Sequence, residues 1–314
     1  MADTAVLGID TSNYTTSAAY FDTRSGELRQ AKKLLPVKSG EKGIRQADAV
    51  FHHTVQLPDM IDELGETGGI CAVGVSDRPS AREGSYMPCF LVGLGTARAV
   101  SRLTGVPCFR TTHQVGHILA ALYSAEKLDM VRQKQKFIAF HVSGGTTDML
   151  LCTPDTEGLI GIERIGGSSD LKAGQAVDRC GVMLGLDFPC GKALEELASG
   201  CTEKISVRAV VKGMDCSLSG IENKCHKLME EGADRAYIAA FCLRSVEANI
   251  SALTEAALKE YGRLPVLYAG GVMSDKLIAD RLKERFGAYF AAPEFSCDNA
   301  AGTAVYAAFM KGLI

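Results

Sequence analysis

The chain contains two copies of one strand–turn–strand pattern, and this repeat limits its possible folds more than any other feature. Residues 6–20 and residues 137–151 each place a short polar turn between two apolar runs. When the copies are aligned without gaps, Ser12 falls on Ser143 and Asp10 falls on His141. A repeat of this kind predicts two related lobes that each begin with the same β-hairpin.

Strand-length and helix-length apolar segments alternate through both halves, a pattern typical of an α/β protein. A charged stretch without strong periodicity at residues 125–136 predicts the crossover between the lobes. We therefore expect a first lobe at residues 1–130 and a second at 131–314, with a helical insertion around 165–235. Other predicted elements are strands at 71–76, 266–269 and 289–291 and helices at 90–103, 239–261, 274–286 and 300–311.

The turns of the two hairpins are rich in residues that can hold a phosphate. Ser, Thr and Gly expose hydroxyls and backbone N–H groups at strand ends, which favours anion binding. One such turn alone is typical of a plain hairpin, and it is the repetition that favours a nucleotide site. Gly270 and Gly271, which follow an apolar strand, would let the main chain approach an adenine or ribose. These three elements predict a nucleotide cleft between the two lobes, of the type found in actin and hexokinase.

Two histidines four residues apart predict a bidentate metal site. On a helix, His113 and His117 would lie one above the other on the same face. A helix is favoured because Thr111 or Thr112 can cap it and apolar residues follow at helical spacing. The alternative for an isolated pair is two polar residues on a solvated helix face. Position 114 is Gln, so the metalloprotease pattern H-E-x-x-H is absent and a peptidase is not expected.

Two more residues could complete the metal site: His141 at the end of an apolar strand, and Asp298 near the C-terminus. Three nitrogens and a carboxylate suit Fe²⁺ or Zn²⁺. Asp298 also precedes the last predicted helix, so it could cap that helix instead. We favour Asp298 as a ligand because the histidines need an anionic partner.

Composition restricts where such a protein works. Of its 314 residues, 46% are hydrophobic and 23% charged, which is ordinary globular composition. Eleven cysteines without a C-x-x-C pattern favour a reducing cytoplasm over a disulfide framework. The sequence shows neither a signal peptide nor an apolar run of membrane-spanning length, so we expect a cytoplasmic protein without membrane contact. The net charge of -3 gives no general attraction to nucleic acid, although residues 29–42 are locally basic, so RNA would be bound through a local patch or a partner.

The sequence resembles the TsaD family (also Gcp, Qri or Kae), once labelled O-sialoglycoprotein endopeptidases and understood as tRNA threonylcarbamoyladenosine transferases. The resemblance extends over nearly the whole chain, and the order and spacing of its blocks are specific. The matching blocks are Gly8-Ile9-Asp10-Thr11-Ser12, the His113/His117 pair, Val142-Ser143-Gly144-Gly145-Thr146-Thr147, Ala173-Gly174-Gln175-Ala176-Val177-Asp178-Arg179, Leu184-Gly185-Leu186-Asp187-Phe188-Pro189, Ser217-Leu218-Ser219-Gly220, Ala269-Gly270-Gly271-Val272 and Cys297-Asp298-Asn299.

The resemblance implies a duplicated actin-like ATPase fold (ASKHA, ribonuclease H-like) and one divalent metal ion. Between Fe²⁺ and Zn²⁺, the family resemblance favours iron. The two helix histidines and Asp298 would hold it, with His141 as a fourth ligand where other members look to have a tyrosine. An adenylate (threonylcarbamoyl-AMP, AMP, ADP or ATP) would lie across the cleft. The implied nucleotide-binding residues are Ser143, Gly144 and Gly145 at the phosphates, Asp178 and Gly191 at the ribose, and Gly270, Gly271 and Asp275 near the adenosine, with Ser12, Thr146 and Gly174 completing the set.

The implied reaction is metal-dependent transfer of a threonylcarbamoyl group from threonylcarbamoyl-AMP to the N6 amine of a tRNA adenosine next to the anticodon. His113, His117 and Asp298 would be the catalytic residues. Asp178 suits ribose hydroxyls, although a surface salt bridge is the alternative for it. Close relatives work with smaller subunits, so the resemblance also implies a protein partner of the same modification pathway.

Several positions depart from the family pattern. The first hairpin of the family usually continues Cys-Asp-Glu-Thr, whereas this chain has Asn13-Tyr14-Thr15-Thr16 and lacks both carboxylates. Gln175 replaces the usual Glu, Cys190 replaces a Gly and Asp275 replaces an Asn. An alternative is therefore a divergent paralogue that binds metal and nucleotide but carbamoylates another acceptor, or acts as a non-catalytic subunit. A sugar-kinase-like ATPase ranks lowest, because it gives no reason for the two helix histidines.

Overall fold

The computed structural model describes residues 4–12, 14–36, 44–65 and 68–314. The chain divides into two compact units, which we call unit 1 and unit 2. Unit 1 contains Met1–Gln133, Pro154–Gly161 and Cys297–Ile314, and unit 2 contains Lys134–Thr153 and Ile162–Ser296. Part of the basic stretch predicted at 29–42 lies outside the described residues, as does Asn13. None of the helices in the described ranges combines the length and apolarity that a bilayer crossing needs.

Unit 1 is built on a five-stranded sheet with the strand order β3-β2-β1-β4-β5. Its strands are β1 (Ala5–Ser12), β2 (Thr15–Asp22), β3 (Leu28–Leu34), β4 (Ile70–Arg78) and β5 (Cys108–Thr112). The β1–β2 hairpin is antiparallel, whereas β1 pairs with β4, and β4 with β5, in parallel. Every residue of the central strand β1 is buried, as expected for a strand covered on both faces.

Unit 2 is built on a seven-stranded sheet with the strand order β12-β11-β6-β7-β8-β10-β9. Its strands are β6 (Phe137–Val142), β7 (Thr147–Asp155), β8 (Leu159–Ser168), β9 (Val211–Lys212), β10 (Asp215–Cys216), β11 (Val266–Ala269) and β12 (Tyr289–Phe290). The end of β7, the start of β8 and the turn between them, Pro154–Gly161, are counted with unit 1. The β6–β7 hairpin is antiparallel, and β11 pairs in parallel with β6 and with β12.

The two hairpins have the same register. Asp10 lies opposite Ser17 in the first, and His141 lies opposite Asp148 in the second, which are the pairs that the gap-free alignment matches. The order β3-β2-β1-β4-β5 of the first sheet also recurs as β8-β7-β6-β11-β12 in the second. The prediction of a duplicated α/β fold is therefore confirmed.

Ten helices accompany the sheets in the described residues. They are α1 (Gln46–Asp62), α2 (Phe90–Thr104), α3 (His113–Ser124), α4 (Asp129–Arg132), α5 (Ala173–Met183), α6 (Gly191–Ser199), α7 (Ser219–Glu230), α8 (Arg235–Tyr261), α9 (Lys276–Phe286) and α10 (Ala301–Lys311). The helices α5 to α9 belong to unit 2, and the main core of that unit includes apolar side chains from all of them. The region 165–235, predicted as a helical insertion, contains α5, α6 and α7 together with β9 and β10.

The last helix, α10, packs against α3 and against β1 and β4 of unit 1. Glycines permit this close approach, because a Cβ at Gly302 would collide with the carbonyl oxygen of Gly116, and one at Gly74 with that of Thr303. Any side chain at these positions would push the elements apart. This packing explains one difference from the sequence prediction, which placed all of 131–314 in one lobe: Cys297–Ile314 belongs to unit 1.

Helix boundaries differ from the predicted ones where a cap was not recognised. The long helix α8 begins at Arg235 rather than at 239, because the Asp234 side chain accepts hydrogen bonds from the backbone of Ala236 and Tyr237. The helix predicted at 274–286 begins at Lys276, because Asp275 caps it after a short 3-10 turn. The predicted crossover at 125–136 contains the short helix α4.

Candidate functional site

The first candidate group lies at the start of α3, in unit 1. The Thr112 side chain caps this helix by accepting a hydrogen bond from Val115 N at 3.2 Å, so the helix begins at His113. The spacing of four residues brings the imidazoles of His113 and His117 together, with their Nε2 atoms 2.9 Å apart. The apolar face of α3 is buried, and the two imidazoles remain only partly exposed beside it.

Asp298 joins the two histidines from the segment that precedes α10. Its Oδ1 lies 3.1 Å from His117 Nε2 and 3.5 Å from His113 Nε2, and Thr15 Oγ1 donates to its Oδ2 at 3.4 Å. Asp298 does not cap α10, which was the alternative reading of the sequence. The N-cap position is occupied by Ala300, and the Oδ1 of the preceding Asn299 accepts from Ala301 N at 3.0 Å.

A second carboxylate, Asp10, lies behind the histidines, and sequence reasoning assigned it no role. It is fully buried at the end of β1, and its Oδ2 lies 2.9 Å from His113 Nδ1. Ser76 Oγ donates to the same oxygen at 2.6 Å, and Ser12 N donates to Oδ1 at 2.9 Å. Asp10 therefore binds Nδ1–H of the ring and leaves His113 Nε2 to face the other ligands, as the outer carboxylate of a metal-bound histidine does.

The charges of this group favour a cation between its carboxylates. Burial opposes a positive charge on His113, but the charge of Asp10 and hydrogen bonds to Asp10 and Asp298 raise the pKa of His113 to about 10. Burial would raise the pKa of both carboxyls, but their interactions with His113 lower the pKa of Asp10 and hold that of Asp298 well below its usual range. One buried carboxylate, Asp10, and one partly exposed carboxylate, Asp298, thus favour positive charge at this point.

The geometry fits one metal ion. The ligand atoms of His113, His117 and Asp298 all lie within 4.8 Å of one another. Two imidazole nitrogens and one carboxylate oxygen, with an outer carboxylate on one imidazole, are a donor set typical of Zn²⁺ or Fe²⁺. His141, predicted as a fourth ligand, lies on β6 in unit 2, and its assignment stays a prediction.

The second candidate site is a pocket of about 500 Å³ in unit 2, a volume within the usual range for small-molecule sites. Seven residues predicted from the sequence to bind a nucleotide line it. Its lining residues are Ser143, Gly144, Gly174, Val177, Asp178, Pro189, Gly191, Lys192, Glu195, Leu243, Gly271, Val272, Ser274 and Asp275. Four predicted residues are not among them: Gly145, Thr146 and Gly270 of unit 2, and Ser12 of unit 1.

The glycines of this pocket have two different roles. A Cβ at Gly144, Gly191 or Gly271 would meet nothing within 4 Å, so the missing side chains leave open space for a ligand. Gly174, by contrast, is needed for packing, because its Cβ would lie 2.6 Å from Gly144 N. Gly270 has a φ of 101° and a Cβ there would collide with the Val142 carbonyl, so this position shapes the turn after β11.

The start of α5 rests directly on the β6–β7 turn. Gly174 N donates to Ser143 O at 3.1 Å, and Ala173 N donates to Thr147 Oγ1 at 2.9 Å. Gln175 replaces the usual Glu of the family pattern, yet its Oε1 still accepts from Lys172 N at 3.1 Å. An amide oxygen thus serves this cap as a carboxylate oxygen would.

Polar groups on the pocket wall can recognise a ligand. Asp178 accepts from Cys190 N at 2.9 Å, which positions its carboxylate, and the buried Ser274 Oγ has no hydrogen-bond partner among the described residues. Asp275 caps α9, and burial followed by the charge of Glu195 raises its pKa to about 6. The sequence analysis did not predict Lys192 and Glu195 as lining residues. Lys192 follows Gly191 directly and Glu195 lies one helical turn later on α6, and this closeness to Gly191 could have indicated both.

Comparison with solved structures identifies the fold. The chain resembles component A of (R)-2-hydroxyglutaryl-CoA dehydratase from Acidaminococcus fermentans, with a TM-score of 0.54 and 16% identity over 98% of this chain and 99% of that one. It also resembles full-length HypF in its phosphate- and nucleotide-bound form (TM-score 0.59, 14% identity, 96% of this chain and 45% of that one). A third similar structure is a ROK family glucokinase from Streptomyces griseus (TM-score 0.53, 13% identity, 96% of this chain and 99% of that one). The predicted actin-like ATPase (ASKHA) fold is thus confirmed.

The family follows from the sequence as a whole. The family model TsaD, described as tRNA N6-adenosine threonylcarbamoyltransferase, matches residues 32–305. This match extends over most of the 314 residues and includes the α3 histidines, the β6–β7 turn and Asp298. The chain therefore belongs to the TsaD family of transferases.

Proposed function

We propose that this protein is a metal-dependent transferase that moves the threonylcarbamoyl group of threonylcarbamoyl-AMP to the N6 amine of a tRNA adenosine next to the anticodon. The observation that carries the proposal is the convergence of His113, His117 and Asp298, with Asp10 behind them, in a chain of the TsaD family. No other arrangement of the described residues in unit 1 offers both imidazoles and a carboxylate at such short distances.

His113, His117 and Asp298 would hold one divalent ion, Fe²⁺ or Zn²⁺, with His141 as a proposed fourth ligand. The ion, when bound, would polarise the carbonyl of the transferred group. Asp10 orients the His113 ring and supplies negative charge, which strengthens the ring as a donor. The hydroxyl of Thr15 restrains the Asp298 carboxylate.

We assign the adenylate to the unit 2 pocket. The backbone N–H of Gly144 and the hydroxyl of Ser143 would donate to phosphate oxygens, because Ser143 N already donates to Thr146 O at 2.7 Å. Lys192, the basic residue among the described pocket lining, would add positive charge. The Asp178 carboxylate would accept from ribose hydroxyls, and the Ser274 hydroxyl would gain a partner from the ligand. Open space beside Gly191 and Gly271 leaves room for the nucleoside. AMP, ADP and ATP carry the groups that such a pocket recognises.

The transfer balances without a redox partner. The adenosine N6 attacks the carbamoyl carbon, the bond from that carbon to the phosphate oxygen breaks, and AMP leaves with the electron pair. The N6 proton passes to a base or to water. We expect cytoplasmic function, because none of the eleven cysteines, all within the described residues, forms a disulfide. We expect tRNA to be bound through a local patch or with a protein partner of the same pathway.

The test is tRNA modification by purified protein supplemented with its partner subunits and threonylcarbamoyl-AMP. His117→Ala should reduce the yield of threonylcarbamoyladenosine by at least about 100-fold, because it removes one metal ligand. His226→Ala is the matched control, since His226 is an exposed helical histidine of unit 2, and it should retain full activity. Equal activity of the His117→Ala protein and the wild type would contradict the proposal.

A second candidate function is carbamoyl transfer to an acceptor other than tRNA. Thr15 favours it, because this residue stands where the family usually has a Glu and contacts Asp298 through a hydroxyl at 3.4 Å. Incubation of the wild type with threonylcarbamoyl-AMP, a divalent metal, tRNA and a panel of other amine acceptors distinguishes this function from transfer to tRNA. If tRNA stays unmodified while adenylate is consumed with another amine, the second function is correct. Restoration of tRNA modification by a Tyr14→Asp/Thr15→Glu variant would show which side chains caused the change.

A further inference from the structure

Three cysteines from three different helices of unit 2 meet in its core. They are Cys180 of α5, Cys225 of α7 and Cys242 of α8, and their sulfur atoms all lie within 4.8 Å of one another. Their exposed fractions are 1%, 0% and 0%. Sequence spacing gives no hint of this group, because the three residues are far apart in the chain and form no C-x-x-C pattern.

The separation of the sulfurs suits a shared metal ion. With metal–sulfur bonds of about 2.3 Å, three sulfurs around one ion lie about 4 Å from one another. In the structure the three sulfurs lie within 4.8 Å of one another, so little movement is needed to reach that separation. Helix packing has thus brought the sulfurs together before any ion binds, which lowers the cost of ordering them.

We propose that Cys180, Cys225 and Cys242 form a three-thiolate site for a soft cation, with Cu(I) as the ion that fits best. Thiolates select Cu(I) and Zn²⁺ over harder cations. Structural zinc sites have four protein ligands, whereas this group offers three among the described residues. Cu(I) is satisfied by fewer thiolates, so a three-sulfur site favours it. This inference does not rest on the proposed transferase activity.

Binding exchanges protons for the ion. Each thiol that becomes a ligand loses its S–H proton and forms a sulfur–metal bond, so up to three protons leave per ion and no electron is transferred. The neighbouring thiols of Cys180 and Cys242 lower the pKa of Cys225 against the opposing effect of burial.

Helix α7 provides the route by which an ion reaches the buried sulfurs. Of its 12 residues only Ile221 and Cys225 are buried, so it is the least anchored of the three helices and its local opening costs the least. The other two helices also line the unit 2 pocket, through Asp178 on α5 and Leu243 on α8. A bound ion would therefore connect α7 to two walls of the pocket.

The competing explanation is that the three thiols are small apolar residues of the core and bind nothing. Cys152 provides a matched control, because it is equally buried in unit 2 and is not part of the group. All proteins in the test carry His117→Ala and Cys297→Ser, which remove the other candidate metal group and the exposed thiol. Serine substitutions keep the side-chain volume nearly constant, which limits damage to folding.

The experiment titrates the reduced full-length protein with Cu(I) in competition with a chromophoric chelator, and then measures retained copper and the Tm after desalting. We expect one retained Cu(I) per chain and a higher Tm in the parent protein and in Cys152→Ser. Cys225→Ser should bind Cu(I) at least about 100-fold more weakly. A parallel titration with Zn²⁺ should show weaker retention, and tighter retention of Zn²⁺ would overturn the choice of ion.

Equal copper retention by the Cys225→Ser and Cys152→Ser proteins, or no retention by the parent, would overturn the site. If Cys225→Ser fails to fold, proton release decides the question without a variant. Titration of the parent protein with Cu(I) in weak buffer should release two to three protons per ion. Release of none means that the thiols are not ligands.

Discussion

The two hairpins of this protein share one register and are used differently. At equivalent positions, Asp10 in unit 1 is buried and bonded to His113, whereas His141 in unit 2 is half-buried opposite Asp148. Thr15, which begins β2 of the first hairpin, donates to Asp298, whereas Ser143 and Gly144 in the turn of the second hairpin line the pocket. The backbone scaffold is duplicated, but matched positions carry different chemistry: the first hairpin ends in a carboxylate that contacts a histidine, and the second ends at a pocket wall.

The contrast extends to the glycines that surround each hairpin. In unit 1, Gly116 and Gly302 let two helices touch, and this contact places Asp298 beside His117. In unit 2, Gly144 and Gly271 leave empty space on a pocket wall. The same residue type thus permits close helix packing in one unit and leaves open space on a pocket wall in the other.

The largest expected effect is that of Gly302→Ala. The added Cβ collides with the backbone of Gly116, so α10 must move away from α3 and Asp298 from the histidines. We expect a loss of about 3 kcal/mol in the free energy of unfolding, together with loss of metal binding. Denaturant unfolding and metal titration measure the two effects.

Gly95→Ala is the control for this change, since Gly95 is exposed on α2 and a Cβ there meets nothing within 4 Å. Alanine favours a helix over glycine, so this variant should be more stable than the wild type by about 0.5 kcal/mol. If Gly302→Ala were as stable as Gly95→Ala, the close α3–α10 packing would be wrong.

Asp10→Asn tests the residue that distinguishes the first hairpin. The amide is neutral and cannot stabilise positive charge at His113, so metal affinity should fall by roughly 10- to 100-fold while the fold is retained. Isothermal titration with Zn²⁺ and with Fe²⁺ under anaerobic conditions gives the affinities. Unchanged affinity would mean that Asp10 has no role in holding the ion.

His141→Ala tests the matched residue of the second hairpin. As a fourth ligand, His141 should contribute less than the three residues of unit 1, and its removal should weaken metal binding by about 10-fold. Isothermal titration of this variant with Zn²⁺ and with Fe²⁺ measures the change in metal affinity. Affinity equal to that of the wild type would remove His141 from the ligand set and leave the other three in place.

Gly271→Val should separate the two sites. Its side chain would occupy the open space of the unit 2 pocket, so adenylate affinity should fall by at least about 10-fold, with metal binding and stability unchanged. Fluorescence titration with a labelled AMP provides the measurement. Gly220→Val is the control, because its Cβ also meets nothing within 4 Å and it does not line the pocket. A similar loss in both variants would argue against this pocket.

The smallest expected effect is the pH dependence caused by Asp275. Burial and then Glu195 raise the pKa of this carboxyl to about 6 from the ordinary 3.8, so the folded state binds its proton more tightly than the unfolded state. The resulting stabilisation is complete below about pH 4 and is lost as the pH rises through 6. Asp275→Asn retains an N-cap and cannot ionise. The free energy of unfolding of this variant should equal that of the wild type near pH 4 and exceed it by about 1 kcal/mol at pH 8. The effect is this small because water still screens part of the Asp275 carboxyl. Denaturant unfolding of both proteins at the two pH values measures this difference. A difference in the free energy of unfolding that is the same at pH 4 and pH 8 would contradict the prediction.

Periodicity and spacing predicted most of the fold and part of the metal group. The repeat predicted the matched hairpins, and the spacing of His113 and His117 predicted the helix that joins them. Both signals are local, because strands and helices impose periods of two and 3.6 residues on the sequence.

What the sequence did not predict depends on packing between distant segments. The role of Asp10 requires that β1 ends beside the start of α3, and its buried pattern alone did not show this. The return of Asp298 to unit 1 depends on the fit of Gly302 to Gly116. The group formed by Cys180, Cys225 and Cys242 has no local pattern at all, since each helix contributes one sulfur.

The most direct test of the central claim is a crystal structure of the protein grown with Zn²⁺ or Fe²⁺, with anomalous diffraction recorded at the metal edge. We expect one strong anomalous peak at about 2.0–2.2 Å from His113 Nε2, His117 Nε2 and an Asp298 oxygen, with Asp10 still bonded to His113 Nδ1. A peak bound elsewhere, or those three side chains free of metal at saturating concentration, would contradict it.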